Sequence, residues 1–197
     1  MSAAPKMRRI VFDIETTGQM NGGSIDFTNQ ELTIVCIYDS YTGEYSSYLK
    51  EELPKLWGIL ERADMLVGYN SDHFDIPILN KYYPGDLTQI KSLDLLKEVR
   101  AVLGRRLKMD NLAAATLGVG KIASGLDAVK WWQEGNIEKL REYCLDDVRV
   151  TKELYDYAKK HKSLKYKDFD GVREIKINPA NWETAEDAPA LNHTLPF

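Results

Sequence analysis

The spacing of apolar and polar residues changes several times along the chain, and each change marks an element. Ile10, Phe12 and Ile14 alternate with Val11, Asp13 and Glu15, the two-residue period of a β-strand whose successive side chains point to opposite faces. Gln19 to Glu31 is polar, carries Gly22-Gly23 and reads as a loop. Thr33 to Tyr38 is a continuous apolar run suited to a central strand, Ser40 to Gly43 is turn-like, and Glu44 to Leu49 is a more polar third strand. The period then lengthens. Leu53, Leu56, Trp57 and Leu60 recur at i, i+3, i+4 and i+7, an amphipathic helix with Pro54 in its first turn.

Beyond that helix, strands and helices alternate. Met65 to Tyr69 reads as a buried strand, Phe74 to Tyr83 as a helix with Pro77 in its first turn, Gln89 to Leu93 as a strand, and Leu95, Leu96, Val99 and Leu103 as a helical stripe. Right-handed crossovers put the last two strands parallel to the first. The expected architecture is therefore α/β: a mixed five-stranded sheet, three antiparallel strands followed by two parallel ones, with helices on both faces. After Gly104 the pattern is helical. It predicts Asn111 to Leu117 capped by Asp110, a short helix over Asp127 to Glu134, and a long one from Ile137 to Lys160. From Ser163 the pattern offers one strand, Val172 to Ile177, and a tail to Phe197 that is docked or partly disordered.

Composition narrows this picture. With 197 residues, 44% apolar and 28% charged, the chain suffices for one globular domain with a substantial core. A formal net charge of −4 argues against a polycation that coats nucleic acid, while leaving room for a local basic groove. Cys36 and Cys144 fall inside apolar patterns, so the reading is free thiols in a reducing, cytoplasmic compartment. The basic opening Met1 to Arg9 is followed by a run that Asp13 and Glu15 interrupt, so it is not a signal peptide. No run approaches the ~18 apolar residues of a membrane helix.

The candidate chemistry lies where carboxylates break these apolar patterns. Asp13 and Glu15 share one strand face, and carboxylates leaving water are costly unless a partner compensates. A divalent metal would do so, although solvated acids on an edge strand are the commoner case. On the long helix, Asp147 falls on the apolar stripe one turn after Tyr143, whereas Asp146 does not. Asp75 follows a strand in Gly68-Tyr69-Asn70-Ser71-Asp72-His73-Phe74-Asp75, and strand ends of α/β sheets are where ligands gather. Taken singly, Asp75 reads as a helix cap, and Asp147 as a buried acid satisfied by a tyrosine or a basic side chain.

Taken together, Asp-x-Glu on the first strand, Asn-x-x-x-Phe-Asp after the fourth and Tyr-x-x-x-Asp on the late helix resemble the three motifs of the DEDDy 3′→5′ exonucleases. These are ribonuclease H-like proteins, and the chain resembles the proofreading type of family B DNA polymerases and its free-standing relatives from Arg8 to Lys160. The resemblance implies a ribonuclease H-like exonuclease domain over residues 1–162, with 163–197 as an extension. It implies that Asp13, Glu15, Asp75 and Asp147 bind two Mg²⁺ or Mn²⁺ ions about 4 Å apart, and that Tyr143 orients the attacking water. In that arrangement Asp13 bridges the ions, Glu15 and Asp147 complete the first, and Asp75 holds the second directly or through water. The implied partner is the 3′ end of single-stranded DNA or RNA, with DNA favoured, released as nucleoside 5′-monophosphates.

Thr16, Thr17, Asn70, Arg105 and Arg106 are the candidate substrate-binding residues. His73 is a candidate for a water-mediated contact. Arg100, Arg105, Arg106 and Lys108 form the densest basic cluster, with Lys121 and Lys130 farther on; they are either phosphate contacts or a solvated helix end. Trp131-Trp132 offers a base-stacking platform, with at least one ring expected in the core. Two alternatives remain. Asp13-Ile14-Glu15-Thr16 with Asp146-Asp147 faintly resembles haloacid-dehalogenase-like phosphohydrolases, whose motif has aspartate where Glu15 stands. The other is a nucleic-acid-binding module that has lost catalysis.

Overall fold

The computed structural model describes residues 7–18, 20–21, 24–25, 29–120 and 122–184. Gly22-Gly23, Lys121, Met1 to Lys6 and the tail after Thr184 lie outside the described residues.

Three strands form first: β1 (Arg9–Thr16), β4 (Leu32–Asp39) and β5 (Glu44–Leu49), with two short strands, β2 (Met20–Asn21) and β3 (Ser24–Ile25), pairing with each other between β1 and β4. Helix α1 (Leu53–Leu60) leads to β6 (Met65–Gly68), and α2 (Asp75–Leu79) leads to β7 (Ser92–Asp94). The five-stranded sheet has the order β5-β4-β1-β6-β7. β4 is antiparallel to both β1 and β5, while β6 runs parallel to β1 and β7 parallel to β6. This is the mixed sheet that the strand order predicts. β1 sits at its centre, and its pairing with β6 covers Arg9 to Val11 while its pairing with β4 continues to Thr16.

Helices cover both faces, as the patterns require. Ile10, Phe12 and Ile14 join Val35 and Ile37 under Leu53, Leu56, Leu60, Ile76 and Ile78 of α1 and α2. On the other face Val11, Ile34 and Cys36 pack against α3 (Leu95–Leu103), α4 (Met109–Thr116), α5 (Gly125–Gln133) and α6 (Ile137–His161). No helix among the described residues is long and apolar enough to cross a membrane.

Boundaries differ from the sequence pattern where local polar contacts override periodicity. α2 stops at Leu79 rather than Tyr83. The expected strand from Gln89 begins only at Ser92, because Asp86 accepts from the Thr88 amide at 2.9 Å and closes a 3₁₀ turn over Leu87–Gln89. α4 is capped by Lys108 without a side-chain bond, so Asp110 lies inside its first turn. α5 starts earlier than expected because Ser124 and Asp127 form a reciprocal cap, with the Ser124 amide donating to Asp127 at 2.8 Å.

After α6 the chain makes a hairpin, not a single strand: β8 (Ser163–Asp168) pairs antiparallel with β9 (Gly171–Lys176). Leu164, Tyr166, Ile175 and Ile177 enter the same core as α6. The Asn111 amide donates to the Lys167 carbonyl at 2.9 Å and its oxygen accepts from the Lys167 N–H at 2.8 Å, which fastens β8 to α4. Trp182 stacks on Tyr155 with ring centroids 5.4 Å apart, and Glu183 accepts from Tyr155 at 2.6 Å and Lys159 at 2.5 Å and pairs with Arg9.

Candidate metal and active site

The site forms where the C-terminal half of β1 meets α6 and the loop after β6. Asp13 and Glu15 project from the β1 face that carries Val11, toward α6. Asp147 reaches them from α6. One carboxylate oxygen from each of the three lies within 4.8 Å of the other two. Asp13 Oδ2 is buried and has no hydrogen-bond partner among the described residues.

Such crowding raises the cost of charge. Burial, and then Asp147, Asp75 and Glu15, hold Asp13 well above the usual carboxylate range. Burial, then Asp147 and Asp75, do the same for Glu15. Three acids converging, with Asp13 Oδ2 orphaned among the described residues, suit a hard divalent cation. The donor set fits such an ion.

Asp75 stands at the start of α2, outside that group of three. Its Oδ1 accepts from the Ile14 amide at 3.2 Å, between the two β1 acids in sequence. Beyond Val11, β1 has no β6 residue opposite it, and Asp75 occupies part of the edge left open. Burial pushes Asp75 up to about 7 against the lowering effect of that amide.

Tyr143, one turn before Asp147, is hydrogen-bonded to the Asp147 carboxylate, and burial followed by the Asp147 charge raises its hydroxyl far above the ordinary tyrosine value. Trp131 packs edge-on against it at 6.1 Å. Both Trp131 and Trp132 are partly buried against the core. Asp146 points elsewhere and pairs with Arg149. Behind the acids, the buried Cys144 thiol lies 3.6 Å from the Asp13 carbonyl oxygen, with burial and then Cys36 raising its pKa.

The other sequence candidates are scattered around this centre. Thr16 is buried and its hydroxyl donates to Gln30 at 2.6 Å, while Thr17 Oγ1 accepts from the Glu31 amide at 3.3 Å. Both fasten the strand end to the segment before β4. Arg106 donates to Asn70 Oδ1 at 2.6 Å, and Arg105 pairs with Asp168 at 3.5 Å over the Tyr166 ring. Asp94, which the sequence reading passed over, accepts from the amides of Asn70 at 2.7 Å, Leu96 at 2.9 Å and Asp72 at 3.3 Å. It caps α3 and fixes the loop that carries Asn70. Its place directly after a strand and before a helix was the signal for it.

The RNase H superfamily model matches residues 10–159, which takes in every strand of the main sheet and all of Asp13, Glu15, Asp75, Tyr143 and Asp147. The chain belongs to the RNase H superfamily. Members of this superfamily are generally nucleases and other phosphodiester hydrolases, so an acidic metal site of this kind is consistent with nuclease chemistry. Among solved structures, the family B DNA polymerase from the hyperthermophilic archaeon Pyrobaculum calidifontis matches with a TM-score of 0.61 and 20% identity. The match covers 80% of this chain and 25% of the polymerase chain, and at that identity the likeness is one of fold. No curated protein matches the sequence.

Proposed function

We propose that this protein is a metal-dependent 3′→5′ exonuclease. It would remove nucleoside 5′-monophosphates from the 3′ end of a single strand, DNA in preference to RNA. The observation that carries the reading is the convergence of Asp13, Glu15 and Asp147 beside Tyr143, with Asp13 Oδ2 left without a donor. Those three acids, with Asp75 alongside, are the residues that would hold two Mg²⁺ or Mn²⁺ ions. When bound, such ions polarise a phosphodiester and offset the charge developing on the attacking and leaving oxygens.

The chain itself supplies placement. Asp13 and Glu15 are held by a central strand and Asp147 by a 25-residue helix, so the donors ride on rigid elements. Tyr143 is protonated at neutral pH, as an ordinary tyrosine is, and burial with the nearby acids pushes its pKa further up. Its hydroxyl donates a hydrogen bond to the Asp147 carboxylate, which leaves the oxygen lone pairs free to accept from a water and orient it. The direction of attack and the preference for DNA are supported by the resemblance of the three motifs to the tyrosine-type proofreading exonucleases.

The phosphohydrolase alternative loses its second acid, since Asp146 is turned to Arg149. The test is a time course on 5′-labelled single-stranded DNA and RNA of one sequence, with Mg²⁺, with Mn²⁺ and with chelator, beside Asp147→Ala. A ladder shortening from the 3′ end, absent with chelator and in the variant, is expected. Undiminished cleavage by the variant overturns the site, and no cleavage under any condition leaves the binding module.

A further inference from the structure

A second feature lies on the same sheet edge. The loop after β6, the end of β7 and helix α3 enclose a cavity of about 210 Å³ lined by Asn70, His73, Lys97, Arg100 and Arg106 together with Asp94 and Leu96. Its charges do not cancel. Lys97 is offset by Asp72 at 2.5 Å, and the Asp94 carboxylate is taken up by three backbone amides. Arg100 and Arg106 make no ion pair among the described residues, and Arg106 rests on a neutral amide, Asn70 Oδ1, at 2.6 Å. Arg100 and Arg106 both line this one small cavity, and guanidinium groups suit a phosphate, which their planar forks can grip with paired hydrogen bonds.

The place of the cavity names the source of that phosphate. β1, β6 and β7 are adjacent and parallel, so their C-terminal ends form one edge, and the strand spacing of about 4.8 Å puts the ends of β6 and β7, which the cavity adjoins, about 5 and 10 Å from β1. A single strand covers that distance in about two or three nucleotides at the stacked rise of about 3.4 Å. We infer that this cavity seats a backbone phosphate of the nucleic-acid strand whose end lies over Asp13, Glu15 and Asp147, with Arg100 and Arg106 gripping it. The inference rests on the exonuclease reading for its substrate class. Asn70 is a positioning residue: its left-handed backbone (φ 66°) is pinned by Asp94, and its side-chain oxygen aims Arg106.

The experiment measures binding of a 5′-labelled single-stranded DNA 12-mer in chelator by anisotropy, with the five linkages nearest the 3′ end replaced one at a time by neutral methylphosphonate. Wild type loses about tenfold in affinity at one of these linkages, and Arg100→Ala/Arg106→Ala loses affinity for the unmodified strand yet ignores that linkage. The slope of log affinity against log salt becomes shallower by about 0.7 for each arginine removed. Asn70→Gly, which keeps the left-handed backbone, blunts the same linkage. If wild type does not bind the strand, or if the arginine variant keeps the full effect at every linkage, the phosphate seat is wrong. The same strands in Mg²⁺ separate the two ideas: a linkage effect that Arg100→Ala/Arg106→Ala abolishes, with no shortening by wild type, sinks the exonuclease and leaves the seat standing.

Discussion

Asp13 holds a buried oxygen with no donor among the described residues and faces Glu15 and Asp147, so in the metal-free protein its placement costs stability. Asp13→Asn is expected to raise the melting temperature in chelator, by about 2–4 °C for each kcal/mol of repulsion relieved in a chain of this length. The same change should abolish strand cleavage and the rise in melting temperature that Mg²⁺ or Mn²⁺ gives to wild type, since a ligand bound by the native state alone stabilises it. Thermal melts with and without metal check both. Tyr143→Phe separates the two roles, lowering the cleavage rate about 10²-fold while keeping the metal-induced shift. Asp13, Glu15 and Asp147 stood out in the sequence because each falls inside an apolar pattern that a carboxylate ought to avoid, whereas Tyr143 and Asp75 drew notice only through the spacing of the three motifs together. Asp94 was not, because a carboxylate before a helix is ordinary until the loop that folds onto it is known.

Where elements meet, the decisive contacts join residues far apart in sequence. Two residues past the end of β1, Gly18 has a φ of +71° that suits glycine, and a Cβ there would lie 2.3 Å from Val129 Cγ2 on α5. Gly18→Ala is expected to cost about 1–3 kcal/mol from the backbone alone, with the clash added. Val129→Ala in the same chain should recover the steric part and leave the backbone part, as urea titrations of the two variants would show. The turn at Gly18 was readable in the sequence; its packing partner, 111 residues away, was not. The same holds for β8, where Leu164 and Tyr166 alternate with Lys165 and Lys167 over a stretch too short to distinguish from a fraying helix end. Its pairing with β9 and the bonds that Asn111 and Thr116 of α4 make to its backbone define it as a strand.

Across the whole molecule, the segment after α6 shares the core of the sheet. Leu164→Ala should therefore cost about 2–5 kcal/mol and lower one transition common to far-ultraviolet and tryptophan signals, rather than releasing the hairpin alone. Glu183 ties that segment to α6 and β1. Its burial is outweighed by Lys159, Tyr155 and Arg9, which hold its pKa down at about 2 from 4.5. A carboxylate depressed by folding stabilises the native state fully above its unfolded value and loses that contribution as the proton returns. The stability gap between wild type and Glu183→Gln should thus be constant above about pH 5 and close between pH 4.5 and 2, as urea titrations across that range would reveal.

The bond from Ile14 N–H to Asp75 also has a consequence for exchange with solvent. On the stretch of β1 past its pairing with β6, that amide is guarded by a side chain rather than by a neighbouring strand. Its deuterium uptake therefore reports whether the start of α2 stays docked on β1, and Asp75→Ala should speed uptake at Ile14 while Val11, paired on both sides, still waits for global unfolding.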